Sequence, residues 1–330
     1  MLVAKDLAVF DDNTQRFYSF QFCILLSLIV PSILASLFAL YSLILDPNFR
    51  RECHSYTLIV LLLINLFYNS MNISYFIYYF HTFRTFLIAP MSRLVWGYFD
   101  WQIYVLQILL YAWFTIERHI LIFHDRLLTT RRRRLVIHYL PPYFVIVYCF
   151  VYYTFVFFVP SCINNFSRLI RPGFFPCAFR NTTLFLYDLI AHGIIPTFTI
   201  ILSSIALFIR VLYQKHRVQQ PVQWRRYRKL IVQILVISFL YLVLPFPPML
   251  IQFLHICGMS TSVGSEFSLR MIFVSYYTFL LFPIFTIASL PELRAKLNKI
   301  LLCLQCTVQR INNTHIVYMS SNRVRIVRER

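Results

Sequence analysis

Glycine and acidic residues are scarce in this chain, with five Gly and twelve Asp or Glu among 330 residues. So few glycines leave little material for the Gly-interrupted helices of many transporters and channels. So few carboxylates leave no pair sharing a helix face for acid–base work, and the nine histidines form no metal-binding box. Catalysis is therefore not expected, nor any metal or cofactor. The eight cysteines are scattered rather than grouped into a zinc framework. Charge of both signs makes up only 13% of the chain, whereas 59% is hydrophobic and 18% aromatic. No water-soluble domain needs that much apolar surface, so a membrane protein is expected.

Long apolar runs are what the chain does have. They recur seven times, near residues 18–45, 55–82, 92–123, 135–160, 183–212, 228–256 and 268–289. Each is long enough to cross a bilayer as a helix, which takes about 20 residues. The runs lack strict alternation and are about twice the length of a spanning strand, which excludes a closed barrel. The fold expected is an all-α membrane protein, a seven-transmembrane helix bundle over 18–289 without a soluble module. Residues 1–17 form a tail that mixes Lys5, Asp6, Asp11, Asp12 and Arg16 without an apolar core. No cleavable signal is expected there, and the first helix serves as the signal.

Basic residues divide unevenly between the two sides of such a bundle. One side carries eight of the 31 Lys and Arg: Lys5, Arg16, Arg84, Arg93, Arg168, Arg171, Arg180 and Arg270. The other carries 23, including Arg131–Arg134, the cluster at 215–229 and the basic tail at 304–330. The positive-inside rule places the richer side in the cytoplasm and the N-terminus outside. Sequons at Asn165 and Asn181 then fall in an extracellular loop as glycosylation candidates, whereas Asn312 falls inside and Asn72 within a helix. Near a bilayer the basic clusters attract anionic lipid, and being pinned there they are not expected to bind nucleic acid. Beyond Pro291, Leu293, Leu297, Ile300 and Leu301 share one face, which predicts a short amphipathic helix over 290–303 on the inner membrane surface. Cys303 and Cys306 just after it read either as palmitoylation sites or as free cytosolic thiols.

The third run concentrates the charges. Asp100 lies near its start and the adjacent pair Glu117 and Arg118 near its end, with no charge between them. At about 1.5 Å per helical residue the step from Asp100 to Arg118 spans roughly 27 Å, most of the hydrocarbon thickness. One helix would thus carry a lone carboxylate near one face and a self-paired Glu–Arg at the other. Charges inside a membrane segment are costly, so each is a functional candidate. Prolines interrupt at least five runs, including Pro196, Pro247 and Pro283, where missing donors kink helices and provide hinges.

Seven helices, an outer N-terminus and an acid–Arg pair closing the third helix resemble the rhodopsin-like class of G-protein-coupled receptors. The resemblance covers helices 3 to 7 and the surface helix. Glu117-Arg118-His119 followed by Ile122 is similar to the family's acid-Arg-Tyr motif, and Pro196, Pro247 (or Pro245) and Pro283 to its prolines in helices 5, 6 and 7. The run from Ile116 to Phe123 looks like that of divergent invertebrate orphan receptors. The resemblance implies that Arg118 is restrained at rest and released to receive a heterotrimeric G protein at the plasma membrane.

It also implies a ligand pocket. Asp100 resembles the amine-anchoring acid of aminergic receptors, Tyr276 the tyrosine that hydrogen-bonds it, and Trp101 and Tyr104 offer cation–π contact. Asp188 and His192 replace the hydroxyl residues expected for a catecholamine. Equally, Asp100 pairs internally with Arg93, Tyr276 or His192 and binds nothing directly. An extracellular small amine and a basic peptide both fit an acidic pocket. Helix 7 has no Lys, which excludes a retinal Schiff base. The family's helix 3 cysteine is Arg93 here, so a Cys162–Cys177 bond within the loop is expected, with Cys257 the alternative partner. The chain departs from the pattern in having no Asn in helix 1, no acid in helix 2, no Trp in helix 4, and Phe282-Pro283-Ile284-Phe285-Thr286 in helix 7. A seven-helix transporter or channel is the rival class.

Overall fold

The structure, a computed structural model, describes residues 12–45, 56–82, 90–123, 130–160, 162, 176–217, 221–260, 262–290, 293–300, 302, 303 and 305. Among them there are helices and turns but no strand. Hydrocarbon offers a backbone no hydrogen-bond partners, and a helix satisfies its own.

Helix α1 runs Asp12–Leu45 without a break at Pro31. Helix α2 spans Tyr56–Thr82 with a wide π-helical turn at Asn69–Ile73. Helix α3 is Pro90–Phe123. Helix α4, Leu135–Phe158, opens on a second π turn, Leu135–Tyr139, and is preceded by the single turn Arg131–Arg134. Helix α5 joins Thr182–Asp188, a third π turn at Leu189–Ile194, and Ile195–Arg217. Helix α6 consists of Pro221–Val243 and Phe246–Ile256, and α7 of Ser265–Ser275 and Tyr277–Ser289. A last helix, α8, covers 293–300. Several helices outrun the apolar stretches: α1 begins ahead of residue 18, α5 passes 212, and α6 starts ahead of 228. Gln, Lys and Arg are good helix formers, and Pro221 suits a first helical position, so the helices continue into polar sequence.

By length and composition, four helices qualify to cross a membrane: Gln15–Leu45, Tyr56–Thr82, Leu135–Phe158 and Thr182–Arg210. The bent pairs α6 and α7 raise that to six. The outer faces agree: Leu34 and Tyr41 of α1, and Phe144, Val151 and Phe155 of α4, are exposed, a surface suited to lipid and not to water. The described residues are all-helical, with four to six helices long and apolar enough to cross a membrane, as suits a membrane protein. The expected third span, α3, falls outside that set. Its Asp100, Gln102 and Gln107 dilute its apolar character, and all three are buried against neighbouring helices.

That burial follows from position. Helix α3 packs against α2, α4 and α5, while α1 packs on α2 and α7, α5 on α6, and α6 on α7. The helix that carries Asp100, Glu117 and Arg118 is thus packed against three others. Helix α6 bends by 41° at Leu244–Pro245, with Pro247 in the first turn of its second limb. Helix α7 bends by 41° at Tyr276, whereas Pro283 lies inside the straight limb that follows. The bend precedes Pro283 because Tyr276 and Phe279 close tight three-residue turns, Tyr276 N donating to Phe273 O and Phe279 N to Tyr276 O. Pro196 lies just after the π turn of α5. Helix α8 buries Leu293 and packs Leu297 against the core, with Arg294 and Lys299 exposed. Cys303 is exposed, while Cys306 and nearly all of the tail lie outside the described residues, as do residues 1–11.

Candidate functional site

Asp100, Trp101 and Tyr104 from α3, Asp188 and His192 from α5, and Tyr276 from α7 line one cavity. Pro248, Met249 and Gln252 of the second α6 limb close it from the side, and it encloses about 660 Å³ of atom-free space including its open mouth. Among the described residues no Lys or Arg lines it. Its charge therefore comes from two buried carboxylates and one imidazole.

Asp100 is 3% exposed. Its Oδ1 accepts from Tyr68 Oη at 2.6 Å and Asn72 Nδ2 at 3.1 Å, and its Oδ2 from Tyr276 Oη at 3.2 Å. The internal partner that the sequence suggested, Tyr276, is present, and two donors from α2 join it. The π turn at Asn69–Ile73 starts just after Tyr68 and contains Asn72, and it sets the register in which both face α3. Beneath the carboxylate the rings of Tyr68 and Phe279 stack with centroids 3.7 Å apart, and Tyr104 meets Tyr276 edge-on at 5.8 Å. Tyr68, Asn72 and Tyr276 are neutral donors that fix the orientation of the carboxylate.

On α5, His192 Nδ1 contacts Asp188 Oδ1 at 2.8 Å, the two being i and i+4. Tyr153 Oη donates to the same oxygen at 2.9 Å, and Tyr148 Oη lies 2.7 Å from His192 Nε2. The wide turn at Leu189–Ile194 contains His192. Gly193 packs closely on Met249, whose Sδ would lie 2.9 Å from a Cβ placed there and would have to shift.

A disulfide joins Cys162 to Cys177, with Cα atoms 5.9 Å apart. The turn Cys177–Arg180 that follows it presents Phe179 to Trp101, ring centroids 5.2 Å apart. The bond thus holds the turn whose Phe179 packs on Trp101, a residue of the cavity lining. Asn181 is exposed and caps α5, its Oδ1 accepting from Thr183 N at 3.0 Å. Asn165 lies outside the described residues.

At the far end of α3 the arrangement differs from the expected self-pair. Glu117 bonds His138 of α4, both about 1% exposed, and its Oε2 has no hydrogen-bond partner. Arg118 instead lays its guanidinium over the Phe114 ring, 4.6 Å from the centroid. Adjacent helical residues point in different directions, which separates the two charges. His119 Nε2 lies 3.0 Å from Arg210 Nη1, and Arg210 covers the Phe123 ring. The side chain of Ile122 lies outside the described residues. Of the basic clusters, Arg132 and Arg133 are exposed, while Arg225, Arg226, Arg228 and Lys229 fall where α6 side chains are not described.

Between the two ends, Tyr111 stacks on Tyr241 of α6 at 4.7 Å and 10°. Next to it, Gln107 Oε1 and Nε2, Tyr241 Oη and Thr278 Oγ1 surround a small void, and none of the four has a hydrogen-bond partner. Sequence reasoning did not single out Tyr68, Asn72, His138, Tyr148 or Tyr153. For α2 a signal existed: Asn65, Asn69 and Asn72 fall on one helical stripe inside an apolar run. For the tyrosines of α4, set among many other aromatics, none did.

The chain matches no protein-family model, and no curated protein is similar to it.

Proposed function

We propose that the chain is a receptor of the rhodopsin-like G-protein-coupled class, transducing an extracellular amine or basic peptide to a heterotrimeric G protein. In this reading α1 to α7 all cross the plasma membrane, with α3 screened from lipid by its neighbours. The N-terminus lies outside, and α8 rests on the inner leaflet beside the basic segments. One observation carries the reading. Asp100 stands in a cavity that opens to solvent, on the same enclosed helix that bears Glu117 and Arg118 at its far end. A buried carboxylate in a cavity that no Lys or Arg lines among the described residues favours a ligand ammonium. An acid and an arginine among exposed basic side chains at the other end suit a signalling partner.

The bend of α7 at Tyr276 borders this cavity, the second limb of α6 lines it, and the two bends supply joints through which occupancy can alter the far end. The experiment is nucleotide exchange on a G protein, driven by amines and basic peptides, with the chain reconstituted in lipid. Ligand-dependent exchange supports the receptor. Solute flux in liposomes without exchange supports the transporter or channel and overturns this reading.

A further inference from the structure

We infer that the first limb of α6, Pro221–Val243, is built to part from α3 and α5, with Tyr111 as the positioning residue that holds it closed. On opening, the carbonyl of Ile234 passes from Tyr111 to Ser238. The use of this motion in signalling rests on the receptor reading, whereas the motion itself does not.

Two hydroxyl contacts tie the limb to its neighbours. From α3, Tyr111 Oη donates to the backbone carbonyl of Ile234 at 3.3 Å, while its ring stacks on Tyr241. From α5, Ser204 Oγ lies 2.6 Å from Ser238 Oγ. Tyr111, Ser204 and Ser238 are all buried. Ser204 also donates to Ile200 O on its own helix, at 2.6 Å. A serine has one proton to give, so Ser238 is the donor between the two hydroxyls. Ile234 stands about 15 Å along the helix from the bend at Leu244–Pro245, where a change of angle would swing it away from α3.

Hydrocarbon supplies no acceptor, so each buried hydroxyl proton must find one within the protein. When the limb leaves, Ser204 keeps Ile200 O. Ser238 loses Ser204, but a helical serine can turn back to the carbonyl four residues before it. For Ser238 that carbonyl is Ile234 O, the acceptor that Tyr111 vacates. The departing limb is therefore fully satisfied. The hydroxyl left behind is that of Tyr111, buried and without its acceptor. Its desolvation opposes opening by roughly tenfold in the equilibrium.

The hydroxyl exchange gives each variant its own sign. The opening is read as a distance distribution between nitroxides on Arg132→Cys, beside α4, and Val232→Cys on the limb, both exposed positions. The full chain is held in lipid nanodiscs, in a background whose free cysteines are serine. Tyr111→Phe keeps the stacked ring and removes the orphan, so the ratio of long to short distances should rise roughly tenfold. Ser204→Ala strips Ser238 of its acceptor in the closed state alone, and should raise the ratio by up to about tenfold. Ser238→Ala removes a hydroxyl that is satisfied in both states, and should leave the ratio within about threefold. Adding Ser238→Ala to Ser204→Ala should restore the original ratio, which loss of packing would not do, since two cavities add. A ratio unmoved by Tyr111→Phe, or raised further by the double substitution, overturns the inference. Ligand-free nucleotide exchange on a G protein should follow the ratio across the four variants. Distances that shift as expected without any exchange overturn the receptor reading and leave the exchange of hydroxyls standing.

Discussion

Asn69 of α2 donates its side-chain amide to the backbone carbonyl of Phe279 on α7, at 3.3 Å. That carbonyl is four residues ahead of Pro283, which has no N–H to return to it. The same amide nitrogen lies 2.9 Å from Ser32 Oγ on α1 and 3.0 Å from Asn65 Oδ1. One side chain therefore links three helices and repairs the gap that a proline leaves in a setting without water. Asn69→Leu should destabilise the protein by about 1–3 kcal/mol through the orphaned carbonyl. The check is a thermal melt of purified protein. An unchanged midpoint would mean that the Phe279 carbonyl is served in another way.

Asp100 offers a test that separates charge from hydrogen bonding. Asp100→Asn keeps the shape and loses the charge, and breaking a buried ion pair costs about 3–5 kcal/mol. The concentration of amine needed for half-maximal exchange should rise by about a hundredfold or more. Tyr68→Phe removes one neutral donor at 2.6 Å and keeps the charge. It should shift the response by about tenfold, the scale of a hydrogen bond to a charged group. Equal shifts in the two variants would demote Asp100 to a structural node.

The void beside Gln107 predicts a gain in stability. Both polar atoms of the Gln107 side chain lack partners, as do Tyr241 Oη and Thr278 Oγ1 across from it. Replacing an unsatisfied buried amide by an apolar group of similar shape removes a desolvation cost of about 1–3 kcal/mol. Gln107→Leu should therefore raise the melting midpoint, while Gln107→Ala, which enlarges the void, should lower it. A fall with Leu as well would show that the amide is satisfied in the working protein.

The helices were legible because hydrocarbon imposes long apolar runs, and each expected segment overlaps an observed helix. Their ends were not, since α5 and α6 continue into Lys- and Arg-rich sequence that a membrane threshold treats as loop. The six pocket candidates came together because Asp100, Trp101 and Tyr104 share one helix and Asp188 and His192 one turn. What stayed hidden, Tyr276 apart, was the cross-helix partner. Tyr68, Tyr153 and His138 are polar residues whose roles depend on which helix stands opposite, and a single sequence carries no such information. The π turns were hidden for a related reason: the extra residue in α2 or α5 has no composition of its own. Yet each turn re-aims the side chains that meet Asp100 and Tyr148.

The far end of α3 yields the sharpest test of a sequence expectation. Glu117 pairs with His138 across helices, while Arg118 rests on Phe114. The energetic coupling should follow those contacts and not sequence adjacency. In double-mutant cycles, residues in direct contact couple by about 0.5–3 kcal/mol, whereas those without shared partners add. Glu117→Ala with His138→Ala should therefore show clear coupling in melting, and Glu117→Ala with Arg118→Ala almost none. The single variant His138→Phe leaves a buried carboxylate without its partner, which costs stability and frees α3 from α4. If the receptor reading holds, ligand-free nucleotide exchange should rise in that variant. Arg118→Ala should instead abolish exchange at normal surface expression. Coupling that appears between Glu117 and Arg118, and not between Glu117 and His138, would restore the self-paired latch that the sequence suggested.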